Sequence, residues 1–312
     1  MAVSKLKQYH KLIKKAHASY SNNPILWWPD EFQNEINYWS YFQGANCLDA
    51  SIMLVGQDFG AVKAIDIENM LAKSKAIDEG KKLGVNVVPG VELNISGFPG
   101  EFHLLGLGLK NPSKSLYEIL QKVIENRNDR NKKIIEKMQN DGIDISFEEM
   151  QEKYSGTSIG RPHFAAMMVE KKIVKTTQLA FNLYLTKGKP YYVERTCSNL
   201  DEAIIAIQES GGIPVVAHPM SLYLSWGKMP ETLQNFYEQG VGGIEAFHPG
   251  ARMTDCLRLE ELGRKIGFFL TAGSDFHGEK IRPDRKLGYT AGKRKIDDSF
   301  WENELKPALE KL

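Results

Sequence analysis

Four short apolar runs end at residues that commonly bind metal ions, and this pattern constrains the fold more than any other. The run VNVVPGVE reaches Glu92, GIPVVAHP reaches His218, and GIEAFHP reaches His248. The fourth run, FFLTAGSDFH, supplies Asp275 and His277. A parallel strand buried on both faces is a continuous aliphatic run, and functional side chains follow its carboxyl end. The pattern therefore predicts parallel strands that bring these side chains to one rim of a sheet.

The repetition of this arrangement gives it weight. Taken singly, a histidine or an acid after a strand is more often a loop or capping residue than a ligand. Four such strand ends in one chain of 312 residues favour a shared site instead.

The distribution of apolar patterns divides the chain into segments. Residues 1–60 combine a basic stretch with an aromatic stretch and look unlike the rest. Residues 61–111 and 191–312 alternate helices with strands, which is typical of a parallel α/β sheet. Residues 112–190 contain long charged helices, so we predict a helical insertion there. The turn SGFPGE precedes the strand EFHLLGLGL, and a hairpin-like return would bring His103 back to Glu92.

The composition of the chain limits which binding partners and which cellular compartment we expect. No stretch approaches the roughly 20 apolar residues of a membrane span, and the start MAVSKLKQYHKLIKK lacks the apolar centre of a secretory signal. The three cysteines have no CxxC spacing. A net charge of +1 gives no sign of duplex nucleic-acid binding. We expect a cytoplasmic protein without a membrane partner.

The candidate ligands define the chemistry that the site can support. Carboxylate and imidazole groups together suit zinc, manganese or iron, and such ions activate water near neutral pH and clamp phosphate groups. Glu92 can bridge two ions because each carboxylate has two oxygens with lone pairs. Glu92, His103 and His218 alone would supply a three-ligand site with an open position.

The segments PGVEL, EFHLLGLGL, AHP, GIEAFHPG and AGSDFHG together resemble the PHP (polymerase and histidinol phosphatase) superfamily of metal-dependent phosphoesterases. The resemblance covers roughly residues 64–312. The segment GRPHFA and the helical insertion look most like the branch that contains nucleoside 3',5'-bisphosphate phosphatases and RNA 5'-end exonucleases. The resemblance implies an α/β fold, a distorted (β/α)7 barrel with a helical insertion. It also implies a phosphorylated nucleotide or short oligonucleotide as substrate.

The resemblance also implies roles for individual residues. Asp275 and His218 would act in catalysis, in which metal-activated water attacks phosphorus without a covalent protein nucleophile. The implied metal ligands are Glu92, His103, His218, Asp275 and His277, with Asp66 as an extra candidate.

Three further residues would contact substrate, and each has an alternative. Arg161 and His163 in GRPH would meet a substrate phosphate, an interaction for which the planar guanidinium of arginine is suited. Alternatively, they form an ordinary helix start with Pro162 in the first turn. His248 either binds substrate, supports a metal ligand, or has a structural role.

The chain departs from the family pattern near its start. The family opens with His-x-His, and this chain contains no such motif. A later Thr-Asp-His-Asp motif is replaced by AIDIEN, in which Asp66 remains and Ile67 stands in place of histidine. We therefore expect fewer metal ions than the family's three, atypical or replaced first strands, and impaired activity. The alternative is a non-catalytic remnant or binding module.

Two segments have open interpretations. SIMLVGQDFG resembles the first strand and Gln-Asp loop of uracil-DNA glycosylase-like proteins, so residues 1–60 are either a fusion with such a fragment or a diverged barrel start. The basic run KIRPDRK and the basic residues of the insertion either attract a nucleotide tail or form a solvated surface. The interleaved acids favour the solvated surface.

Overall fold

The computed structural model describes residues 40–43, 52–57, 86–154, 159–194, 197–276 and 284–312, with the backbone alone for the first two ranges. Two of the predicted ligands, Asp66 and His277, lie outside these ranges. Residues 58–85 and most of the segment 1–60 also lie outside them.

Within the described residues, seven strands form one mixed sheet whose spatial order follows their order in the chain. The pairs β5–β6 and β6–β7 are parallel, as predicted, and β2 pairs with β3 in parallel. β1 is antiparallel to β2, which departs from a regular β/α unit where an atypical start was predicted. The predicted α/β fold is confirmed. The strands are β1 (Ser40–Gln43), β2 (Ile52–Gln57), β3 (Asn86–Ile95), β4 (Phe102–Leu107), β5 (Ile213–Val216), β6 (Gly243–Phe247) and β7 (Phe269–Ala272).

β4 distorts the barrel pattern because it runs antiparallel to both of its neighbours. Residues 96–101 alone separate β3 from β4, and a crossover to a parallel strand needs roughly a dozen residues. The connection is therefore a hairpin, and Gly97 in it has a φ of 105°, which glycine adopts readily. The hairpin return predicted for the strand that carries His103 is confirmed.

Helices alternate with the later strands and also fill the region between β4 and β5. Among the described helices, none combines the length and the apolar character needed to cross a membrane. The helices are α1 (Lys114–Asn140), α2 (Phe147–Lys153), α3 (Arg161–Glu170), α4 (Thr177–Ala180), α5 (Leu200–Glu209), α6 (Met229–Glu238), α7 (Met253–Ile266) and α8 (Lys306–Leu309).

The main hydrophobic core lies between strands β3 through β7 and the helices α5, α6 and α7. On α5, the buried residues Ala203, Ile204 and Ile207 lie at the three- and four-residue spacing of one helix face. They share a core with Leu104 of β4 and Ile244 of β6. The sheet is thereby held rigidly, and the residues that follow its strands are placed with it.

The predicted helical segment has a second core of its own. α1 begins at the cap Ser113, whose Oγ accepts a hydrogen bond from the backbone N–H of Leu116. Leu116 belongs to the main core, whereas Ile134 near the other end of the helix belongs to the second core with Phe164 of α3. A single long helix therefore spans both cores.

Candidate functional site

Glu92, His103 and His218 converge at one end of the sheet, and their ligand atoms all lie within 4.8 Å of one another. Glu92 lies on β3 opposite Leu105, and His103 lies on β4 opposite Asn94. They are therefore diagonal neighbours on one face of the hairpin. His218 comes just after β5, which pairs with β4. Three predicted ligands, distant in sequence, thus meet because consecutive strands carry them.

The Glu92 carboxylate lies at the centre of this cluster. Its Oε1 is 2.6 Å from His103 Nδ1 and 3.5 Å from His218 Nε2. Glu92 Oε1 and His103 Nδ1 nevertheless have no hydrogen bond in acceptable geometry, although both atoms are buried. Burial alone would raise the pKa of Glu92, but His103 and His218 hold it well below its usual range. The carboxylate is therefore in its anionic, metal-binding form.

The ring of His218 is oriented through its Nδ1 atom, which lies 2.7 Å from Ser221 Oγ. That hydroxyl also lies 2.7 Å from the carbonyl oxygen of Glu101 and 2.9 Å from that of His218. The single hydroxyl proton goes to a carbonyl, because a carbonyl oxygen can only accept. Ser221 Oγ then accepts the Nδ1–H of His218. In the neutral ring the lone pair is therefore on Nε2, the nitrogen that faces Glu92.

The acids around His218 favour the protonated, positively charged form of its imidazole. Burial lowers the pKa of His218, but the contact with Glu92 and the charges of Glu245 and Asp275 outweigh it and raise the pKa to about 9. Glu245 on β6 accepts a hydrogen bond of 2.9 Å from the backbone N–H of His218. Without metal, the imidazole therefore holds the positive charge that a cation would otherwise supply.

His218 and Asp275 both follow parallel strands in an unusual backbone conformation. Their φ angles are 30° and 48°, in the left-handed region that non-glycine residues rarely adopt. Such strain persists only where surrounding contacts hold it, and it concentrates at functional sites. It turns each side chain at the end of its strand.

His248 and Asp275 form a second group on the β6–β7 side of the site. His248 Nε2 is 3.4 Å from Asp275 Oδ2, and the rings of His248 and His218 are 5.0 Å apart between centroids. The backbone N–H of Gly250 donates to His248 Nδ1 at 3.0 Å. Since Nδ1 accepts, Nε2 carries the proton in the neutral ring and is a donor. His248 is therefore suited to hydrogen-bond an oxygen rather than to bind a metal through Nε2.

Arg161 and His163 lie at the start of α3 in the second core. His163 Nδ1 accepts the backbone N–H of Gly160 at 2.9 Å, and its ring packs on Tyr154 with centroids 4.6 Å apart. Burial lowers the pKa of His163. The Arg161 guanidinium lies 5.2 Å from the centroid of the Tyr192 ring. The helix-start alternative thus describes the His163 contact, and phosphate binding by either residue stays a prediction.

Two residues of this region were not identified from sequence. Glu245 lies in the middle of an apolar strand and is buried, and a carboxylate inside the run GIEAF was a usable signal. Arg285 belongs to KIRPDRK, for which the sequence favours a solvated surface, yet its side chain is only 10% exposed and its Nε lies 3.8 Å from Asp275 Oδ2. The charge pattern of that run, in which Asp284 is the single acid, does not indicate that Arg285 is largely buried.

No protein-family model matches the chain. A 5'-3' exoribonuclease Rnm of Escherichia coli is 29% identical over 237 residues, which cover 75% of this chain and 81% of that protein. A 3',5'-nucleoside bisphosphate phosphatase of Chromobacterium violaceum is 28% identical over 219 residues, or 70% of this chain and 76% of that protein. These relatives give no support to a uracil-DNA glycosylase origin of residues 1–60.

One solved structure shows the same fold. It is the crystal structure of a protein from Bifidobacterium adolescentis assigned as a metal-dependent phosphoesterase. The TM-score is 0.64 at 22% identity, and the match covers 81% of this chain and 84% of that one. At this identity, the likeness establishes the arrangement of the chain and leaves its chemistry to the residues of the site.

Proposed function

We propose that this chain is a metal-dependent phosphoesterase of the PHP superfamily. Its substrate would be a phosphate ester of a nucleotide, such as a 3',5'-bisphosphate, or the 5' end of an oligonucleotide. The observation that carries the proposal is the convergence of Glu92 on β3, His103 on β4 and His218 just after β5. The relatives named above act on substrates of this kind according to their names.

A divalent cation fits the residues that converge. Glu92 Oε1 and His103 Nδ1 are buried atoms without a hydrogen bond, and burial without a partner is costly for such groups. Carboxylate with imidazole is the donor set of manganese, zinc or iron. When bound, such an ion stabilises charge on the phosphoryl group and lowers the pKa of water. We propose fewer than three ions because the His-x-His motif is absent.

The protein's own groups would have distinct tasks. Glu92, His103 and His218 would hold the cation, with Asp66, Asp275 and His277 as further proposed ligands. Hydrolysis joins a water oxygen to phosphorus and breaks the ester P–O bond, while one water proton moves to a base and the departing ester oxygen takes up a proton. Our candidates for the base that accepts the water proton are the Asp275 carboxylate and His218.

We also propose a division of labour along the chain. Residues 61–111 and 191–312 would form the barrel, and residues 112–190 would form an insertion that contributes Arg161 and His163 to the substrate. The second hydrophobic core supports this division. Residues 1–60 would be an atypical N-terminal segment, whose strands β1 and β2 extend the sheet beyond β3.

The test is phosphate release from nucleoside 3',5'-bisphosphates and from 5'-phosphorylated RNA oligonucleotides with added manganese. We expect Glu92→Gln to abolish release, because the change removes the buried anion at the centre of the site. Glu238→Gln, on the exposed side of α6, removes the same charge elsewhere and should leave release unchanged. Metal-free purified protein with no release above that of Glu92→Gln would favour the non-catalytic alternative.

A further inference from the structure

Arg285 is a buried cation at the edge of the proposed active site. Its Nε lies 3.8 Å from Asp275 Oδ2 and 3.4 Å from Asp284 Oδ2. Its side chain is only 10% exposed. Despite these two acids, Arg285 Nε has no hydrogen bond in acceptable geometry. A buried guanidinium N–H without an acceptor is unfavourable, so an additional acceptor at this point would be stabilising.

His248 presents a second buried donor to the same carboxylate. Its Nε2 is 3.4 Å from Asp275 Oδ2 and also lacks a hydrogen bond in acceptable geometry. The Gly250 N–H bond to Nδ1 makes that Nε2 a donor, as argued above. Arg285 Nε and His248 Nε2 thus both lie near Asp275 Oδ2, and neither forms a hydrogen bond with it in acceptable geometry.

Glycine at position 250 lets both donors approach each other. A Cβ atom there would lie 2.9 Å from His248 Nδ1 and 3.2 Å from Arg285 Nη2. The first distance is shorter than the contacts that real Cβ atoms make, so a larger residue would displace the His248 ring or the Arg285 guanidinium. The backbone between β6 and α7 is therefore shaped around this pair of side chains.

We propose that Arg285 and His248 together bind a phosphate oxygen of the substrate on the β6–β7 side of the metal cluster. A phosphoryl group has several acceptor oxygens, and arginine binds them with its planar fork of N–H donors. The phosphate oxygens would supply the acceptors that Arg285 Nε and His248 Nε2 lack. This inference deepens the proposed function and rests on it for the identity of the ligand.

The competing role for Arg285 is to orient Asp275 through their ion pair. If Arg285 orients Asp275, its loss would lower the affinity for the metal ion. If Arg285 binds phosphate, its loss would lower the affinity for the anion. Measurements that separate metal affinity from phosphate affinity therefore distinguish the two. Inorganic phosphate is a suitable probe, because it tests the anion site whether or not the protein hydrolyses an ester.

The experiment measures phosphate binding by calorimetry to manganese-loaded protein, and phosphate inhibition wherever release is detectable. We expect Arg285→Gln to weaken phosphate binding by about 10- to 100-fold, the range for loss of a charge-assisted hydrogen bond. Arg285→Lys should recover part of that loss, since it retains the charge without the fork. Manganese affinity should change little in both variants.

Lys286→Gln is the matched control, because it removes one positive charge from the adjacent, exposed position. It should leave phosphate affinity unchanged. Equal weakening by Lys286→Gln would assign the effect to the general field and overturn the proposal. Loss of manganese with unchanged phosphate affinity in Arg285→Gln would show instead that Arg285 positions Asp275.

The proposal and the proposed function can fail separately. Phosphate release by the wild type without any difference between Arg285→Gln and Lys286→Gln would overturn the Arg285 role and leave the phosphoesterase function intact. Phosphate binding that depends on Arg285, in a protein that releases no phosphate, would support the anion site and count against turnover. Melting curves of Arg285→Lys and Arg285→Gln confirm that the variants fold.

Discussion

His218 and His248 follow neighbouring parallel strands and their rings are 5.0 Å apart, yet their Nδ1 atoms meet opposite partners. Ser221 Oγ accepts from His218 Nδ1, whereas His248 Nδ1 accepts from the backbone N–H of Gly250. The two rings therefore present different Nε2 atoms: a lone pair for a cation in His218 and a proton for an anion in His248. The hydrogen-bond partner of Nδ1 therefore decides whether Nε2 of each histidine is an acceptor or a donor.

The same contrast divides the site into two regions. On the β3–β5 side, Glu92 and two imidazoles bring acceptor atoms together. On the β6–β7 side, Arg285 and His248 bring buried donors together around Asp275. A phosphate ester that bridges the two regions would meet a cation on one side and hydrogen-bond donors on the other. That is the arrangement a phosphoryl transfer requires.

The largest expected effect separates the two histidines directly. We expect His218→Gln to weaken manganese binding by more than about 100-fold, beyond the effect of losing a residue that merely orients a ligand. His248→Gln should retain manganese affinity and weaken phosphate binding, because the amide only partly replaces Nε2–H. Equilibrium manganese titration of both variants measures the difference. Similar losses in both would show that His248 binds the metal and would remove the contrast.

A smaller effect is expected from the hydroxyl that orients His218. Ser221→Ala removes the acceptor of Nδ1–H, and we expect manganese affinity to fall by about 10- to 100-fold, as for other groups that orient a metal-bound histidine. Ser225→Ala, at an exposed position of the same loop, is the matched control. An unchanged affinity in Ser221→Ala would contradict the orientation that we infer for the ring.

The smallest effect is a pH dependence of the metal-free protein. The pKa of His218 is raised from its ordinary 6.5 to about 9, so its contribution to the free energy of unfolding is fully present below 6.5. That contribution is lost as the pH rises from 6.5 through 9, because the unfolded chain releases the proton first. Chemical denaturation across this range, with EDTA present, should show the decline. His218→Gln should lack it, and an equal slope in that variant would assign the decline to another group.

Much of the fold could be predicted because its signals are local. The apolar runs at β5, β6 and β7 gave the parallel strands, and the short SGFPGE turn gave the hairpin that returns His103 to Glu92. The helices between β4 and β5 were visible in their charge pattern and caps. The antiparallel pairing of β4 with β5 was not predicted, since some hundred residues of helical chain separate them.

The site was only partly predictable. Strand ends indicated Glu92, His103, His218, His248 and Asp275 as a group, and the structure brings each of them to the same end of the sheet. The role of His163 stays a prediction, because its Nδ1 accepts a backbone N–H at the start of α3 and the sequence alone does not distinguish that contact from phosphate binding. Arg285 could not be identified from its charged run, because its position depends on contacts with Asp275 and Gly250 that are made in the folded chain.

Apolar runs and turn residues act over a few neighbours, so local patterns were enough to locate the candidate ligands on or just after the strands. The roles of these side chains depend on the folded chain. Ser221 can accept from His218 because backbone carbonyls, including the distant one of Glu101, take its proton. Arg285 becomes a buried donor because it packs against Gly250 and Asp275. Proton positions and burial depend on contacts between segments that are far apart in the chain, so no local pattern encodes them.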